Sequence, residues 1–464
     1  MHTPIKPLTP KEIAKEIKLL NPKKSPGSDL VTAKMLKELP RKGIVMLTYI
    51  FNAIIRLGYW PKRLKTAQII MINKPGKEPT EVSSYRPISL LSIVSKLLEK
   101  LVLHRLNEDL PPENWIPEHQ FGFRQKHSTV QQVHRITHTI NEAFEKKQYC
   151  SGIFLDISQA FDKVWYPGLI YKIKCILPTA YFTILKSYLS ERKFQTKVNE
   201  EKSDYFPINS GVPQGSVLGP LLYVLYTSDI PMAQNLIIGT FADDTAILSC
   251  HENPQIASNK IQNYLTNLQQ WLEKWKIKVN ESKSAHITFT LRKETCPAVT
   301  INNVQIPQTQ TVRYLGLHLD SKLTWKQHIT KKKKQVEIKT RELQWLIGRK
   351  SRVSLENKIL IYKAVIKPTW EYGIELWGCA SKSNIQIIQR CQSKILRQIA
   401  DAPWYVTNHT IHTDLQVPIV QEVIGKKANT HHIVINNHPN LIIEQLTEPV
   451  INKRLKKRWP SELI

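Results

Sequence analysis

The sequence predicts an α+β fold, with helices packed on one side of a small sheet. Three observations carry this expectation. Short apolar runs alternate with helix-period segments from Tyr149 to about Leu291, helical patterns dominate on either side, and carboxylates stand where the apolar runs end.

Thr9-Pro10-Lys11-Glu12 has the spacing of a capping box with proline in the first helical position, and Ile13, Ile17 and Leu20 form the stripe behind it. Pro26-Gly27 breaks the chain in a basic loop that carries Lys23 and Lys24. Residues 44–57 read as a second apolar helix, and Thr66 to Asn73 as a buried strand leading into the basic turn Lys74-Pro-Gly-Lys77. Ser89 to Leu106 and Val130 to Lys146 read as long helices. The Asp156 strand, a helical region near 167–189 and the loop Ser210–Gly215 come next. A helix with Leu218, Leu221, Leu222 and Leu225 follows, then a hairpin at Asp243. Ile261, Leu265, Leu268, Leu272 and Trp275 mark one face of a further helix, and Ala285–Thr290 reads as a strand. After Leu319 the chain is helical and strongly basic, with Lys331, Lys332, Lys333 and Lys334 preceding a helix-rich segment and further helices at Ile359–Ile366 and Ile385–Ile399.

At 464 residues the chain is long enough for two to four subdomains. It carries 66 Lys+Arg against 38 Asp+Glu, a net charge of +28. That much self-repulsion implies a polyanionic partner, and nucleic acid is the usual one. No basic amphipathic helix dominates, so a membrane surface is the weaker reading. The six cysteines are dispersed, which speaks against a zinc site or a disulfide framework and for reduced thiols. No stretch approaches the ~20 apolar residues of a membrane span and no apolar signal core opens the chain, so an intracellular, soluble protein is expected.

Gly239-Thr-Phe-Ala-Asp-Asp-Thr-Ala-Ile-Leu248 sets Asp243 and Asp244 between two apolar runs, and Gly152-Ile-Phe-Leu-Asp-Ile157 delivers Asp156 at the end of another. Asp-Asp by itself is more commonly a polar turn. Three carboxylates at strand ends repel one another and imply a divalent cation. Neighbouring strand residues point to opposite faces, so a tight hairpin is needed for Asp243 and Asp244 to serve one site. Mg²⁺ suits such oxygen ligands, and paired ions clamp attacking and leaving oxygens in phosphoryl transfer.

Other residues are ambiguous taken singly. Phe161 serves either as a ring beneath an incoming sugar, where it would clash with a 2′-OH, or as core. Asp162, followed by Lys163, reads as a structural ion pair or cap. Val212-Pro-Gln-Gly-Ser-Val-Leu-Gly-Pro220 is either a helix-leading loop or a surface for a nascent base pair, with Gln214 as hydrogen-bonding group and Gly215 permitting close approach. Lys74, Lys77 and Arg86 suit a triphosphate or form a solvated loop. Lys283 is a candidate proton donor to pyrophosphate or an ordinary surface lysine.

Together these strings resemble the reverse transcriptase of non-LTR (LINE-type) retrotransposons, most closely the jockey-like elements. The resemblance runs from Leu19-Leu-Asn-Pro-Lys-Lys-Ser-Pro-Gly-Ser-Asp29 to about residue 420. It includes Ser84-Tyr-Arg-Pro-Ile-Ser-Leu-Leu91, Gln120-Phe-Gly-Phe-Arg124, Gly211–Pro220, Phe241-Ala-Asp-Asp244, Tyr314-Leu-Gly-Leu317 and Glu371-Tyr-Gly-Ile-Glu-Leu-Trp-Gly378. It implies a right-hand polymerase: an N-terminal extension at 1–60, fingers at 61–150, a palm of small antiparallel sheet plus helices at 151–320, and a helical thumb with C-terminal extension at 321–464. Asp156 and Asp243 would hold two Mg²⁺ ions, with Mn²⁺ a possible substitute, and Asp244 would complete the site. Lys283 would be the general acid. Lys74, Arg86, Phe161, Gln214 and Gly215 would meet the nucleotide, with Phe161 as sugar gate. Tyr314, Leu315 and Gly316 would grip the primer, and Lys23, Lys24 and Lys331–Lys334 would bind nucleic acid.

The implied partners are template RNA, a DNA primer or target and deoxynucleoside triphosphates, in a ribonucleoprotein of nucleus and cytoplasm. Full-length relatives of this type carry an endonuclease ahead of the polymerase. This chain begins at the polymerase extension and has no evident RNase H after Leu415, so it is expected to synthesise DNA without nicking it. Two rivals are a polymerase relic that only binds RNA, and a group II intron maturase or telomerase-like enzyme. The intact carboxylates count against the first, and the string ending Leu-Trp-Gly378 against the second.

Overall fold

In the computed structural model, which describes residues 4–74, 76–81, 84–448 and 453–463, the chain divides into two compact units, each discontinuous in sequence. Pro75 of the expected basic turn lies outside the described residues, as do the outermost residues of the first and last expected segments.

The first unit contains Met1–Pro117, Ile157–Pro231 and Leu268–Lys278. Its first helix, Pro10–Lys18, begins with the predicted capping box: the Thr9 N–H donates to Glu12 Oε2 at 2.7 Å, and the Glu12 N–H donates to Thr9 Oγ1 at 3.3 Å. Arg105, buried on the helix Ile93–Asp109, pairs with that Glu12 at 2.7 Å and with Glu108 at 2.9 Å. A sheet runs in the order Tyr85–Leu90, Ala67–Asn73, Lys193–Val198, Glu201–Lys202, with Phe206–Pro207 also on Lys193–Val198.

Several expectations change here. Ser89 belongs to a strand, and the helix expected from it starts at Ile93 behind the N-cap Ser92. The strand Ala67–Asn73 is only half buried, with Ile70 and Ile72 exposed. The helical region near 167–189 is two helices, Tyr166–Ile176 and Thr179–Leu189, because Pro178 cannot continue the first.

The second unit contains Glu118–Asp156, Met232–Asn267 and Val279–Ile464. Its antiparallel four-stranded sheet has the order Ile237–Phe241, Asp244–His251, Tyr149–Leu155, Ala285–Phe289. The central strand Tyr149–Leu155 is buried throughout, which explains its unbroken apolar character. The helix Thr129–Glu145 covers one face, placing Val133, Ile136, Ile140 and Phe144 in a core with Phe154, Leu248 and Phe289. The same core continues into the helices Lys326–Glu342, Lys382–Ile399 and Val420–Asn436. Lys331–Lys334 therefore lie within a helix rather than ahead of one. Asp320 organises its start, accepting the Thr324 and Trp325 N–H groups at 2.9 Å each.

All six cysteines are free thiols, and among the described residues no helix is long and apolar enough to cross a membrane.

Candidate active site

Phe241 pairs with Asp244, so Ala242 and Asp243 form a two-residue hairpin turn, with Ala242 in the left-handed region at φ 57°. The objection that adjacent strand residues diverge is thereby removed. Leu155 pairs with Thr245, and one step further in that register brings Asp156 level with Asp244. Burial, then the charges of Asp243 and Asp156, push the Asp244 carboxyl up to about 6, against the pull of Arg313. Asp244 keeps an exposed surface, so this burial is one-sided enclosure by protein.

The turn is held by a segment whose motif the sequence displays without its role. Gln120 Oε1 accepts both the Gly122 N–H at 2.8 Å and the Ala242 N–H at 3.0 Å. The Phe121 N–H donates to the Thr240 carbonyl at 2.9 Å, and the Thr240 N–H to the His119 carbonyl at 3.1 Å. Asp156 is fixed as closely: its N–H donates to Ser284 Oγ at 3.1 Å and its carbonyl accepts the Asn280 N–H at 2.7 Å. Lys283 is exposed on that same 280–284 turn, its N–H bound to the Asn280 carbonyl at 3.2 Å.

No group of three or more His, Cys, Asp or Glu among the described residues is arranged to hold a metal ion. Asp244 nevertheless feels the charges of Asp243 and Asp156, which is the condition a cation relieves. An open site with one or two carboxylates per ion, completed by substrate phosphates, suits Mg²⁺ better than a closed cage does.

In the Tyr314–Leu317 segment, expected to grip a primer, the Tyr314 side chain points inward. Its ring is buried against Phe154, 5.1 Å between centroids, with its hydroxyl 3.4 Å from the Gly239 carbonyl. Leu315 and Gly316, at φ 45° and 83°, form the turn between the strands Thr311–Tyr314 and Leu317–Asp320. The Tyr372 hydroxyl donates to the Leu315 carbonyl at 2.7 Å, so the Glu371–Gly378 string braces the Tyr314–Leu317 string. Lys332 lies 5.5 Å over the Tyr372 ring, and burial with the nearby Arg313 charge lowers its pKa. Lys331, Lys333 and Lys334 are exposed, Lys333 pairing with Glu337 at 3.6 Å.

The candidate nucleotide residues belong to the first unit. Gln214 is committed to its neighbours: its side-chain amide donates to the two carboxylate oxygens of Asp162 at 2.9 and 3.1 Å, and its main-chain carbonyl accepts the Ser89 N–H at 2.9 Å. Asp162 is thus held by Gln214 rather than by an ion pair with Lys163. Burial raises its pKa, while the Gln214 bond and the Lys74 charge oppose the rise. Gly215 sits at φ 119°, where a β-carbon would lie 2.6 Å from the Ser89 carbonyl oxygen, so the loop packs directly on the strand that carries Arg86. Phe161 is half buried and stacks on Tyr223, centroids 4.6 Å apart at 16°. Arg86 is exposed, and Lys23 and Lys24 lie in an exposed loop.

The carboxylate-bearing hairpin and the neighbouring Asp156 strand lie within residues 72–319, which match the family model described as reverse transcriptase (RNA-dependent DNA polymerase). The chain belongs to that family. Along its whole length it is 41% identical to the probable RNA-directed DNA polymerase from transposon X-element, and 40% identical to the RNA-directed DNA polymerase from mobile element jockey, both of Drosophila melanogaster. It is 42% identical over 99% of its length to the probable RNA-directed DNA polymerase from transposon BS of the same fly. The chain spans about half, 52%, of the length of each of these relatives. Among solved structures, a telomerase from Candida tropicalis aligns over 89% of this chain and 69% of its own, with 13% identity and a TM-score of 0.39.

Proposed function

We propose that this chain is the polymerase of a jockey-like non-LTR retrotransposon, extending a DNA primer on an RNA template in target-primed reverse transcription. The observation that carries the reading is the crowding of Asp156, Asp243 and Asp244 at one end of a sheet, with the Asp156 backbone and the hairpin of Asp243 and Asp244 separately fixed. Family membership supports it.

Asp156 and Asp243 would hold two Mg²⁺ ions, or Mn²⁺ in their place, with Asp244 completing the charge. When bound, such ions polarise the phosphate and offset the charge that develops on it. The chain's own residues do the rest. The primer 3′-hydroxyl, giving up its proton to solvent, attacks the α-phosphorus, the bond to pyrophosphate breaks, and Lys283 Nζ supplies the leaving group's proton. Lys74 and Arg86 steady the triphosphate, and Phe161 stands beneath the sugar. Gln214 acts at one remove, fixing Asp162 and the loop above Ser89.

We assign residues 1–60 to an N-terminal extension, 61–150 to fingers, 151–320 to palm and 321–464 to thumb and C-terminal extension. Template RNA, DNA primer or target and deoxynucleoside triphosphates are the partners. An endonuclease in the same polyprotein and residence in a nuclear and cytoplasmic ribonucleoprotein complete the proposal.

The test is primer extension by the purified chain on an RNA template with Mg²⁺. Asp156→Asn and Asp243→Asn are each expected to lower extension by about a thousandfold or more, the scale of several kcal/mol of lost charge stabilisation, with RNA binding retained. Undiminished extension in either variant would sink the assignment.

A further inference from the structure

The helical part of the second unit holds a cleft of about 910 Å³ whose walls are the segment Gln344–Ser351 and the helix Lys382–Ile399. None of its lining residues belongs to the carboxylate sheet. Arg349, Lys350, Arg390, Lys394 and Arg397 line it, and Trp345 stands at its edge with 74% of its surface exposed. The walls are tied by a bond from Gln398 Nε2 to Gln344 Oε1 at 2.7 Å, so the cleft is preformed.

Its cations divide by role. Arg397 is spent on the loop beyond the helix, donating to the carbonyls of Pro403, Trp404 and Val406 and to Asn408 Oδ1. That loop presents Trp404, 90% exposed, and Tyr405, 70% exposed. Arg349 pairs with Asp401 at 3.0 Å. Lys350, Arg390 and Lys394 make no ion pair among the described residues.

We propose that this cleft and the loop beside it bind single-stranded nucleic acid, with bases stacked on Trp345 in the cleft and Trp404 on the adjoining loop, and phosphates met by Lys350, Arg390 and Lys394. The composition decides between polyanions. Unneutralised cations suit any of them, but two indoles left this open to water cost hydrophobic free energy unless a flat apolar partner covers them. Unpaired bases offer such faces together with regularly spaced charge, whereas a duplex keeps its bases stacked inside and an acidic peptide has none. The inference requires binding alone and does not rest on the polymerase reading.

The test is titration of the full chain with fluorescent 15-nucleotide oligo(rU) and oligo(dT), in the presence of saturating blunt hairpin duplex to occupy any duplex-binding channel. Trp345→Ala combined with Trp404→Ala is expected to weaken single-strand binding roughly tenfold to a hundredfold, with unchanged melting and unchanged affinity for the hairpin. Lys350→Gln combined with Lys394→Gln should weaken it and flatten its salt dependence. Which oligonucleotide is held more tightly by the wild-type chain, and loses more in the variants, assigns the cleft to RNA or DNA. Wild-type single-strand affinity in both double variants, or an equal loss for the hairpin, overturns the proposal. So does a polyglutamate probe that the wild-type chain binds as tightly as it binds the oligonucleotides, since that marks an acidic-peptide site.

Discussion

Gly122 lies so close to Ala242 that a β-carbon on it would stand 2.1 Å from the Ala242 nitrogen. The contact locks the Gln120–Arg124 string onto the hairpin turn that carries Asp243. Gly122→Ala must therefore move backbone, not a flexible side chain. It is expected to destabilise the protein by about 1–3 kcal/mol and to reduce primer extension further than that loss explains, because the displaced group is the Asp243 turn. Gly425→Ala is the control: it lies mid-helix, and its β-carbon would meet nothing nearer than 3.9 Å. Denaturant melts and extension rates of both variants check this, and equal behaviour of the two would count against the lock.

What was legible in the sequence was local. The three carboxylates stood out because charge at the end of an apolar run is costly without a partner, and the turn at Asp243 followed from strand geometry. What was hidden came from distant pairing. The strand Lys193–Val198 lies parallel to Ala67–Asn73, far upstream, and no local pattern announces that partner. Ser89 looked helical because the apolar spacing of the following helix extends back across its N-cap, Ser92. Gln120, Tyr372 and Arg313 act on residues remote in sequence, and Tyr314 looked available only because its burial against Phe154 is tertiary.

Phe161 stacks on Tyr223 yet stays half buried, so a smaller side chain there should leave the fold standing. Phe161→Val is expected to raise ribonucleotide incorporation relative to deoxynucleotide severalfold or more, with modest loss of overall rate. The check is single-nucleotide extension with matched dNTP and rNTP. A folded variant whose sugar preference is unchanged would refute the gate, and one that melts cooperatively far below the wild type would assign Phe161 to the core.

Burial holds six histidines of the second unit neutral. It lowers His119, His286, His318 and His431 to about 4 and His328 to about 3, with His134 also well below its usual value. Neighbouring charge adds to this, from Arg135 beside His119 and from Lys332 beside His328. Each depressed value contributes stability that is complete above the ordinary histidine value of 6.5 and is lost as pH falls from there toward 4. Each of the well-buried groups subtracts up to about 1.4 kcal/mol per pH unit in that window, and the more exposed His318 less, because solvent screens it. Asp244, Asp162, Glu99 and Glu375, whose values are raised, act in the opposite sense but are fewer. Urea midpoints should therefore fall steeply between pH 7 and pH 5. A midpoint that holds steady down to pH 4 would contradict the buried neutral state.

The four lysines at 331–334 are not equivalent, because a helix turns them to different sides. Lys331, Lys333 and Lys334 are exposed, whereas Lys332 is half buried over the Tyr372 ring that braces Leu315. A thumb that follows a duplex backbone needs phosphate contacts and no base reading. If the exposed three meet phosphates in this way, replacing them with Gln should lower the slope of log affinity against log salt by up to about 0.9 for each phosphate no longer neutralised. Extension products should shorten, with addition of a first nucleotide at saturating template little changed. Lys332→Gln should behave differently, altering extension through the Leu315–Gly316 turn while leaving the salt slope nearly intact. Filter binding between about 50 and 200 mM salt, with product-length analysis, separates the two. An unaltered slope in the triple variant would make those lysines a solvated face.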